Sequence, residues 1–271
     1  MLVNILKYVI LGIIQGFTEP LPISSSGHVF IFKQILGANT GVLNDLNFEI
    51  IVNFGSLIAI LIIYWKDIVR LIGNFFKYFK EKTPETKRDY KYCWLIVLGV
   101  IPVGIAGVLL KDKIETLLQT TTIVGISFLI TAVFLFLVKN IKGSKEDKDL
   151  TWKDAIIIGL IQVIALIPGI SRSGSTLIAA LFRDVKRSPA LKYSFMLYIP
   201  ISFGTIILGL KDILESTNLS EIALPYALGF LASLIVSYFT IRWFMNAVKK
   251  GNFLYFSIYC LILGALVLIF L

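Results

Sequence analysis

The chain has 271 residues, of which 57% are hydrophobic and 16% are charged, and its mean hydropathy is +0.85. A soluble domain of this length carries more charge, so a soluble globular protein is excluded. The net charge of +9 does not indicate a nucleic-acid partner, because the basic residues lie in loops between apolar segments, where they set membrane topology and contact anionic lipids. One His and two Cys provide neither a metal cluster nor a disulfide framework.

The first apolar segment, residues 2–17, could be taken for a signal peptide. It lacks an A-x-A-like cleavage site, and the residues after it complete a pattern that recurs later in the chain. We therefore expect it to remain in the folded protein. A membrane crossing takes about 20 residues, so neither this segment nor residues 28–37 is long enough to span a bilayer.

A polar stretch, EPLPISSSGH at residues 19–28, separates these two short segments. Polar side chains at membrane depth are costly and mark function by default. Gln15 and Glu19 share a helix face at a spacing of four, so Glu19 is a candidate ligand of a divalent cation and Gln15 a weaker one. A serine hydroxyl and the imidazole of His28 are a candidate nucleophile and proton acceptor. The alternative for His28 is a core histidine with satisfied hydrogen bonds.

Later segments are long and apolar enough, or nearly so, to form six transmembrane helices. They cover residues 48–65, 93–110, 119–138, 193–210, 224–244 and 254–271. Between the first two, residues 67–80 read DIVRLIGNFFKYFK, which is typical of an amphipathic helix on the membrane surface.

A second polar stretch, PGISRSGST at residues 168–176, lies between the short apolar segments 155–167 and 175–182. A guanidinium, hydroxyls and glycine-freed backbone N–H groups before a short helix favour an anionic phosphate, so Arg172 is a candidate phosphate ligand. The alternative for Arg172 is a structural ion pair with Glu19, and the two roles are compatible in an empty site.

The two polar stretches belong to an internal repeat. Residues 11–27, LGIIQGFTEPLPISSSG, match residues 158–174, IGLIQVIALIPGISRSG, without a gap at an offset of 147. Each pair of short apolar segments is predicted to form a re-entrant helix–loop–helix hairpin, because irregular backbone at membrane depth must be buried in protein or line a wet cavity. We predict one integral membrane domain over residues 1–271, with repeats at about 1–140 and 150–271.

The basic residues orient these repeats. The loops 66–91, 139–153, 183–192 and 242–250 hold most of the 26 Lys and Arg residues. With these loops in the cytoplasm, the path is consistent only if neither hairpin crosses the membrane; the first then enters from outside, the second from the cytoplasm, and both termini face out. The repeats are therefore predicted to be inverted, an architecture that places a site near the membrane midplane.

The pattern Q-G-x-T-E-x-L-P-I-S-S-S-G-H, with a later P-G-x-S-R-S-G-S-T, resembles the undecaprenyl-diphosphate phosphatase family, also called the bacitracin resistance protein family. The resemblance covers essentially the whole chain in length, repeat and segment order. It implies a multi-pass hydrolase of the bacterial plasma membrane that converts undecaprenyl diphosphate to undecaprenyl phosphate, the carrier for peptidoglycan synthesis, and confers bacitracin resistance. By the same resemblance, the active site is expected to open to the extracytoplasmic side.

The resemblance also implies roles for single residues. The acidic motif of the family falls on Gln15 and Glu19, which would hold Mg²⁺ or Ca²⁺, and its serine, histidine and arginine fall on Ser25, His28 and Arg172. The further hydroxyls expected at the phosphate belong to Ser24, Ser26, Ser171, Ser173 and Thr176. Two features bear on the pattern: Pro20 stands where the family often has an aromatic residue, and Gln15, within the family pattern, lowers the local negative charge.

Several alternatives stay open at this point. The attacking group is Ser25 with His28 as base, His28 itself, or water that His28 activates. A function of another class, a polyprenyl-phosphate flippase or secondary transporter, would use the same midplane site between inverted repeats. The expected partners are the lipid substrate and membrane lipids, with a homodimer left open.

Overall fold

The structure is a computed structural model that describes residues 2–37, 46–117, 120–214 and 219–271. Helices are its only extended regular elements within these ranges, and five of them are by themselves apolar and long enough to cross a membrane. The predicted fold class, an all-α polytopic membrane protein, is confirmed.

The helices follow one another along both predicted repeats. The first repeat contains α1 Leu2–Thr18, α2 Ser25–Ile35, α3 Leu46–Ile63, α4 Trp65–Lys77, α5 Pro84–Leu117 and α6 Thr121–Val138. A short 3-10 helix, Asp147–Asp149, precedes the second repeat, which contains α7 Trp152–Ile164, α8 Arg172–Phe182, α9 Arg187–Leu214, α10 Leu219–Lys250 and α11 Phe253–Phe270.

The candidate membrane spans agree with the predicted ones in position and differ in length. They are Pro84–Leu110, Thr121–Val138, Arg187–Gly209, Ala223–Lys250 and Phe253–Phe270. Three of the predicted spans are only the apolar middles of longer helices, because hydropathy does not register a helix that continues through polar residues. The helices α3 and α4 pass the same test only as a pair, bent by 74°. This bend separates an apolar span from the amphipathic surface helix expected at residues 67–80.

The short apolar segments form two helix–loop–helix hairpins, α1 with α2 and α7 with α8, and the helices of each pair pack together. Both second helices begin in the same way. Ser24 accepts a hydrogen bond from the backbone N–H of Gly27 at 3.2 Å, and Ser171 accepts one from Gly174 at 3.0 Å. Such a cap satisfies one of the free N–H groups of a helix start. Re-entry of the hairpins into a membrane stays a prediction.

Helices at corresponding positions of the two repeats have corresponding neighbours. The helix α1 packs against α10, α7 packs against α5, and α6 packs against α11. Glycines permit the first two contacts: a Cβ atom on Gly12 would lie 2.3 Å from the carbonyl oxygen of Gly229, and one on Gly159 would lie 2.5 Å from that of Gly99. Gly12 and Gly159 are equivalent in the sequence repeat. The boundaries of the repeats and their inverted orientation stay predictions.

We expect Gly12→Val to destabilise the protein by about 2 kcal/mol, because neither helix backbone can make room for the added carbons. The measurement is the thermal unfolding midpoint in detergent. Gly104→Val is the matched control, since a Cβ atom on Gly104 would meet nothing within 4 Å. An equal fall in the midpoint for both variants would contradict a role of the close α1–α10 contact.

A buried carboxylate closes the base of the second hairpin. Asp154 of α7 is fully buried and contacts Arg183, just after α8, at 2.7 Å and Lys145 at 3.2 Å. Burial raises the pKa of this carboxyl, but the hydrogen bonds from Thr151, Arg183 and Lys145 outweigh it and hold the pKa below its usual range. Asp154 is therefore ionised at neutral pH and ties the start of α7 to the end of α8.

Candidate active site

The two serine-rich loops, residues 19–28 and 168–176, meet through glycines. A Cβ atom on Gly27 would lie 3.2 Å from the Cα atom of Gly169, whose backbone N–H donates to the hydroxyl of Ser26 at 3.4 Å. Gly169 has a φ of 88°, in the left-handed region that favours glycine. The structure thus brings the polar residues of both repeats into one region.

Glu19 is the centre of this region. It lies one residue beyond α1 and is 7% exposed. Its carboxylate accepts hydrogen bonds from the side-chain amide of Gln15 at 2.9 Å and from the hydroxyl of Ser25, and it forms an ion pair with Arg172. The ion pair considered from the sequence is therefore present, and it links the first loop to the start of α8.

Arg172 is held from a second side by an aromatic ring. Its guanidinium carbon lies 4.0 Å from the ring centre of Tyr198 in α9, within the range of a cation–π contact. The hydroxyl of Tyr198 in turn donates to the backbone oxygen of Asn53 in α3 at 3.0 Å. The guanidinium thus lies against a ring of α9 that is itself held by α3.

The predicted phosphate-binding hydroxyls hold the loops together in this state. Ser173 donates to the backbone oxygen of Leu21 at 2.8 Å, which joins the second loop to the first. Thr176 shares a hydrogen bond of 2.6 Å with Ser194 of α9. Ser24 and Ser171 are the N-caps already described, and Ser26 contacts Gly169. A contact of these hydroxyls with phosphate stays a prediction.

The structure does not bring His28 against Ser25. His28 is buried, with Nδ1 2.6 Å from the backbone oxygen of Ser24 and Nε2 2.7 Å from the hydroxyl of Tyr259 in α11. A carbonyl oxygen only accepts, so Nδ1 carries the proton and Nε2 accepts from the tyrosine. This is the arrangement of a core histidine with satisfied hydrogen bonds, whereas the proton of Ser25 points to Glu19.

The cavity beside the ion pair is small. Its volume is about 10 Å³, and its walls include Glu19, Arg172, Ser173 and Tyr198. This is about the space of one water molecule. An anion as large as a diphosphate does not fit this cavity as it stands.

The oxygen donors around Glu19 suit a hard cation only in part. Among the residues that the structure describes, no group of three or more His, Cys, Asp or Glu side chains could hold a metal ion. Glu19 supplies one carboxylate, and Gln15 and Ser25 can add neutral oxygens. Mg²⁺ is often bound through one or two carboxylates together with water and substrate phosphates. The site thus fits a divalent cation that arrives with, or is completed by, a phosphate ligand.

Several site residues were not identified from the sequence because they lie within apolar spans. These are Asn53, Ser194, Tyr198 and Tyr259. The sequence signal that could have identified them is a polar group inside a predicted span, because such a group usually has a functional role. Sequence alone does not show toward which neighbour such a side chain is directed.

Gln15 and Gln162 are equivalent in the repeat, and we expect opposite results when each is replaced by methionine. Gln162 is buried, and neither polar atom of its amide has a hydrogen-bond partner within the described residues. Leaving such a group unsatisfied costs about 1–3 kcal/mol, so Gln162→Met should raise the thermal unfolding midpoint. Gln15→Met removes the hydrogen bond to Glu19 and should lower it. A fall in the midpoint for both variants would show that Gln162 has a partner.

Comparison with known proteins identifies the family of this chain. The family model described as bacitracin resistance protein BacA matches residues 8–266. The chain is 48% identical to undecaprenyl-diphosphatase 2 of Bacillus thuringiensis over 98% of either chain, and 47% identical to undecaprenyl-diphosphatase of Oceanobacillus iheyensis over 99% of this chain and 97% of that one. A relative from Halalkalibacterium halodurans, undecaprenyl-diphosphatase 1, is 40% identical over 97% of this chain and 95% of its own. The chain belongs to the bacitracin resistance protein BacA family.

Proposed function

We propose that this protein is an undecaprenyl-diphosphatase, which removes the terminal phosphate of undecaprenyl diphosphate and returns the monophosphate carrier to peptidoglycan synthesis. The observation that carries the proposal is the cluster of Glu19, Ser25 and Arg172, formed where the two serine-rich loops meet. Family membership and the names of the relatives agree with it. We also propose a role in resistance to bacitracin, which agrees with the description of the family, bacitracin resistance protein.

Binding of the diphosphate exchanges the partner of Arg172. The guanidinium leaves the carboxylate of Glu19 and donates to phosphate oxygens, which it can reach with two parallel N–H groups. The free backbone N–H groups at the start of α8 add to the attraction, since Arg172 is the first residue of that helix. Tyr198 contacts the guanidinium in the ion-paired state, and we expect this contact to persist when the phosphate is bound.

The hydroxyl of Ser25 is the best-placed attacking group. It donates to the carboxylate of Glu19, which can accept its proton as the bond to the terminal phosphorus forms and the bridging oxygen leaves. This differs from the expectation that His28 is the base, because His28 contacts Ser24 and Tyr259 instead. Attack by His28, or by water that it activates, requires the Tyr259 contact to open first.

A divalent cation, Mg²⁺ or Ca²⁺, would be held by Glu19 and Gln15 together with the bound diphosphate. When bound, it neutralises charge on the phosphate oxygens. Gln15 turns an amide toward Glu19 and can present its oxygen by a rotation of that group.

The lipid tail of the substrate needs an apolar path beside the site. The C55 tail of the substrate would lie between helices and reach the lipid through their apolar faces. We propose that the protein lies in the bacterial plasma membrane with its basic loops in the cytoplasm. The site is proposed to open to the extracytoplasmic side, as the resemblance to the phosphatase family implies. Assembly as a homodimer stays a prediction.

The proposed activity is tested by phosphate release from undecaprenyl diphosphate with purified protein in detergent, where no gradient can exist. We expect release, a fall of about tenfold or more on addition of a chelator, and recovery with Mg²⁺ or Ca²⁺. Full activity in excess chelator would contradict the metal proposal alone. No release under any ionic condition would contradict the phosphatase.

A flippase or secondary transporter is the other class that suits a midplane site, and the comparisons do not favour it. An assay in liposomes distinguishes the two functions. Movement of the lipid across the bilayer without phosphate release would support the transporter, whereas release that needs Glu19 and Arg172 supports the enzyme.

The attacking group is identified by rapid quenching and mapping of a covalent phosphate. We expect a phosphoserine at Ser25, which is lost in Ser25→Ala, while Ser26→Ala controls for a neighbouring hydroxyl. A phosphohistidine at His28 would assign the attack to the imidazole. The absence of any adduct, with incorporation of solvent oxygen in one step, would assign it to water.

A further inference from the structure

A second cavity, of about 260 Å³, lies beneath the surface helix α4 and away from the two serine-rich loops. Its walls come from α4, the first turns of α5, the 3-10 helix and α9. Four cationic side chains line it, against three carboxylates. The cations are Arg70, Arg88, Lys148 and Lys192, and the carboxylates are Asp89, Glu146 and Asp147.

The carboxylates of this cavity already have cationic partners. Asp89 is 3.2 Å from Arg70 and 3.2 Å from Arg88, and one oxygen of Asp147 is 3.5 Å from Lys192. Glu146 pairs with Lys186, which lies outside the lining. Asp67, outside the lining, also pairs with Arg70 at 3.1 Å and with Lys192 at 2.8 Å. A guanidinium has five N–H donors, more than these ion pairs use, and both arginines are more than one third exposed. The cavity can thus offer donors to an additional anion.

Two residues that line this cavity each have a buried polar atom without a hydrogen-bond partner within the described residues. These atoms are the hydroxyl of Tyr92, a residue that is 5% exposed, and the Oδ1 atom of Asp147. A buried polar atom without a hydrogen bond destabilises the protein, and a ligand atom of the complementary hydrogen-bonding type would remove that cost. The tyrosine offers a donor to an acceptor oxygen, and the carboxylate oxygen offers an acceptor to a hydroxyl.

The helix over the cavity has the properties of an interfacial anchor. It turns by 74° from α3, and one face exposes large apolar side chains that include Trp65, Val69, Ile72 and Phe76. Such a face lies at the boundary of headgroups and acyl chains. Arg70 on the same helix then faces the level of the lipid phosphates, and acyl chains can pass along α4.

We propose that this cavity binds the headgroup of an anionic phospholipid, with its phosphate on Arg70 and Arg88 and a headgroup hydroxyl on Asp147. Tyr92 donates to a phosphate oxygen. The phosphoglycerol headgroup has this combination of a phosphate and hydroxyls. Free phosphate shares the phosphate contacts, but it has no acyl chain for the apolar face of α4. The site is separate from the residues of the proposed catalytic cluster.

The test counts phosphatidylglycerol retained by the purified full chain in native mass spectrometry, with phosphatidylcholine and inorganic phosphate as competitors. We expect retention of phosphatidylglycerol and about tenfold weaker retention in Tyr92→Phe and in Arg88→Gln, since each loses a hydrogen bond to a charged group. Lys77→Gln is the matched control: it removes one charge from the same helix, but Lys77 pairs with Glu81 outside the cavity.

Folding and binding are separated by Tyr92→Phe, which removes no hydrogen bond within the described protein and, like Gln162→Met, should raise rather than lower the thermal midpoint in lipid-free detergent. Wild-type retention in both Tyr92→Phe and Arg88→Gln would overturn the proposal, since only water would then fill the cavity. An equal loss of retained lipid in Lys77→Gln would show that the binding depends on general surface charge and would contradict a specific site. Displacement of the lipid by millimolar inorganic phosphate would assign the cavity to free phosphate and overturn the lipid assignment.

Discussion

Arg172→Lys should lower the rate of phosphate release from undecaprenyl diphosphate by about 10²–10³-fold, the range seen when one donor to a transition-state oxygen is lost. Lysine keeps the charge but has no planar fork, so it cannot donate two parallel N–H groups to the phosphate. It also loses the contact of the guanidinium carbon with Tyr198, whose ring centre lies 4.0 Å away. The measurement is a steady-state phosphate assay in detergent, with kcat separated from KM.

Arg183→Lys is the matched control for this prediction. Arg183 follows the last residue of α8, whereas Arg172 is the first, and it also forms an ion pair with a buried carboxylate, Asp154. We expect a lower thermal midpoint and an unchanged kcat for the folded fraction of Arg183→Lys. A loss of kcat in both variants would mean that α8 tolerates no arginine replacement, and Arg172 would then have no special role in catalysis.

The architecture was largely predictable because membrane helices follow simple rules. Length and apolar content located the spans, since an unpaired backbone cannot lie in lipid. The polar flanks of α5, α9 and α10 were missed because a helix beyond the membrane carries no hydropathy signal. The capping serines at Ser24 and Ser171 follow from the ungapped repeat, which preserves the residue three positions further on as glycine.

The sequence predicted which residues form the site better than it predicted which of them contact one another. Concentration of Glu19, Ser25 and Arg172 in two matched loops indicated a shared site, and the structure joins these three side chains directly. The partner of Ser25 was not predictable, because Glu19 and His28 lie on either side of it in sequence. The contact between His28 and Tyr259 depends on how α2 is oriented relative to α11, which the sequence does not show.

Aromatic partners from distant helices had no local signal. Tyr198 and Asn53 are separated by 145 residues, and their hydrogen bond depends on the packing of α3 on α9. A tyrosine within an apolar segment also suits an interfacial belt, so its side chain alone does not indicate a contact with arginine. Long-range packing is thus the part of the site that composition and spacing leave undetermined.

Glu19→Gln should lower kcat by about 10²–10⁴-fold, the range for loss of a general base. The amide keeps the shape of the side chain and can still bond to Gln15, but it cannot take the proton of Ser25 or balance the charge of Arg172. Glu19→Asp should recover part of the rate, since it restores the charge at a shorter reach. The measurement is kcat from a steady-state phosphate assay in detergent, with the activity of each variant normalised to folded protein.

The control for Glu19→Gln is Glu49→Gln, because Glu49 forms the same type of ion pair with the buried Lys33 at 2.6 Å. Both substitutions leave a cation without its carboxylate, so both should lower the thermal midpoint. Only Glu19→Gln should lower kcat once activity is normalised to folded protein, since Glu49 contacts neither Ser25 nor Arg172 in the described structure. Equal kcat in the two variants would remove Glu19 from the chemistry and leave it the structural ion pair that the sequence also allowed.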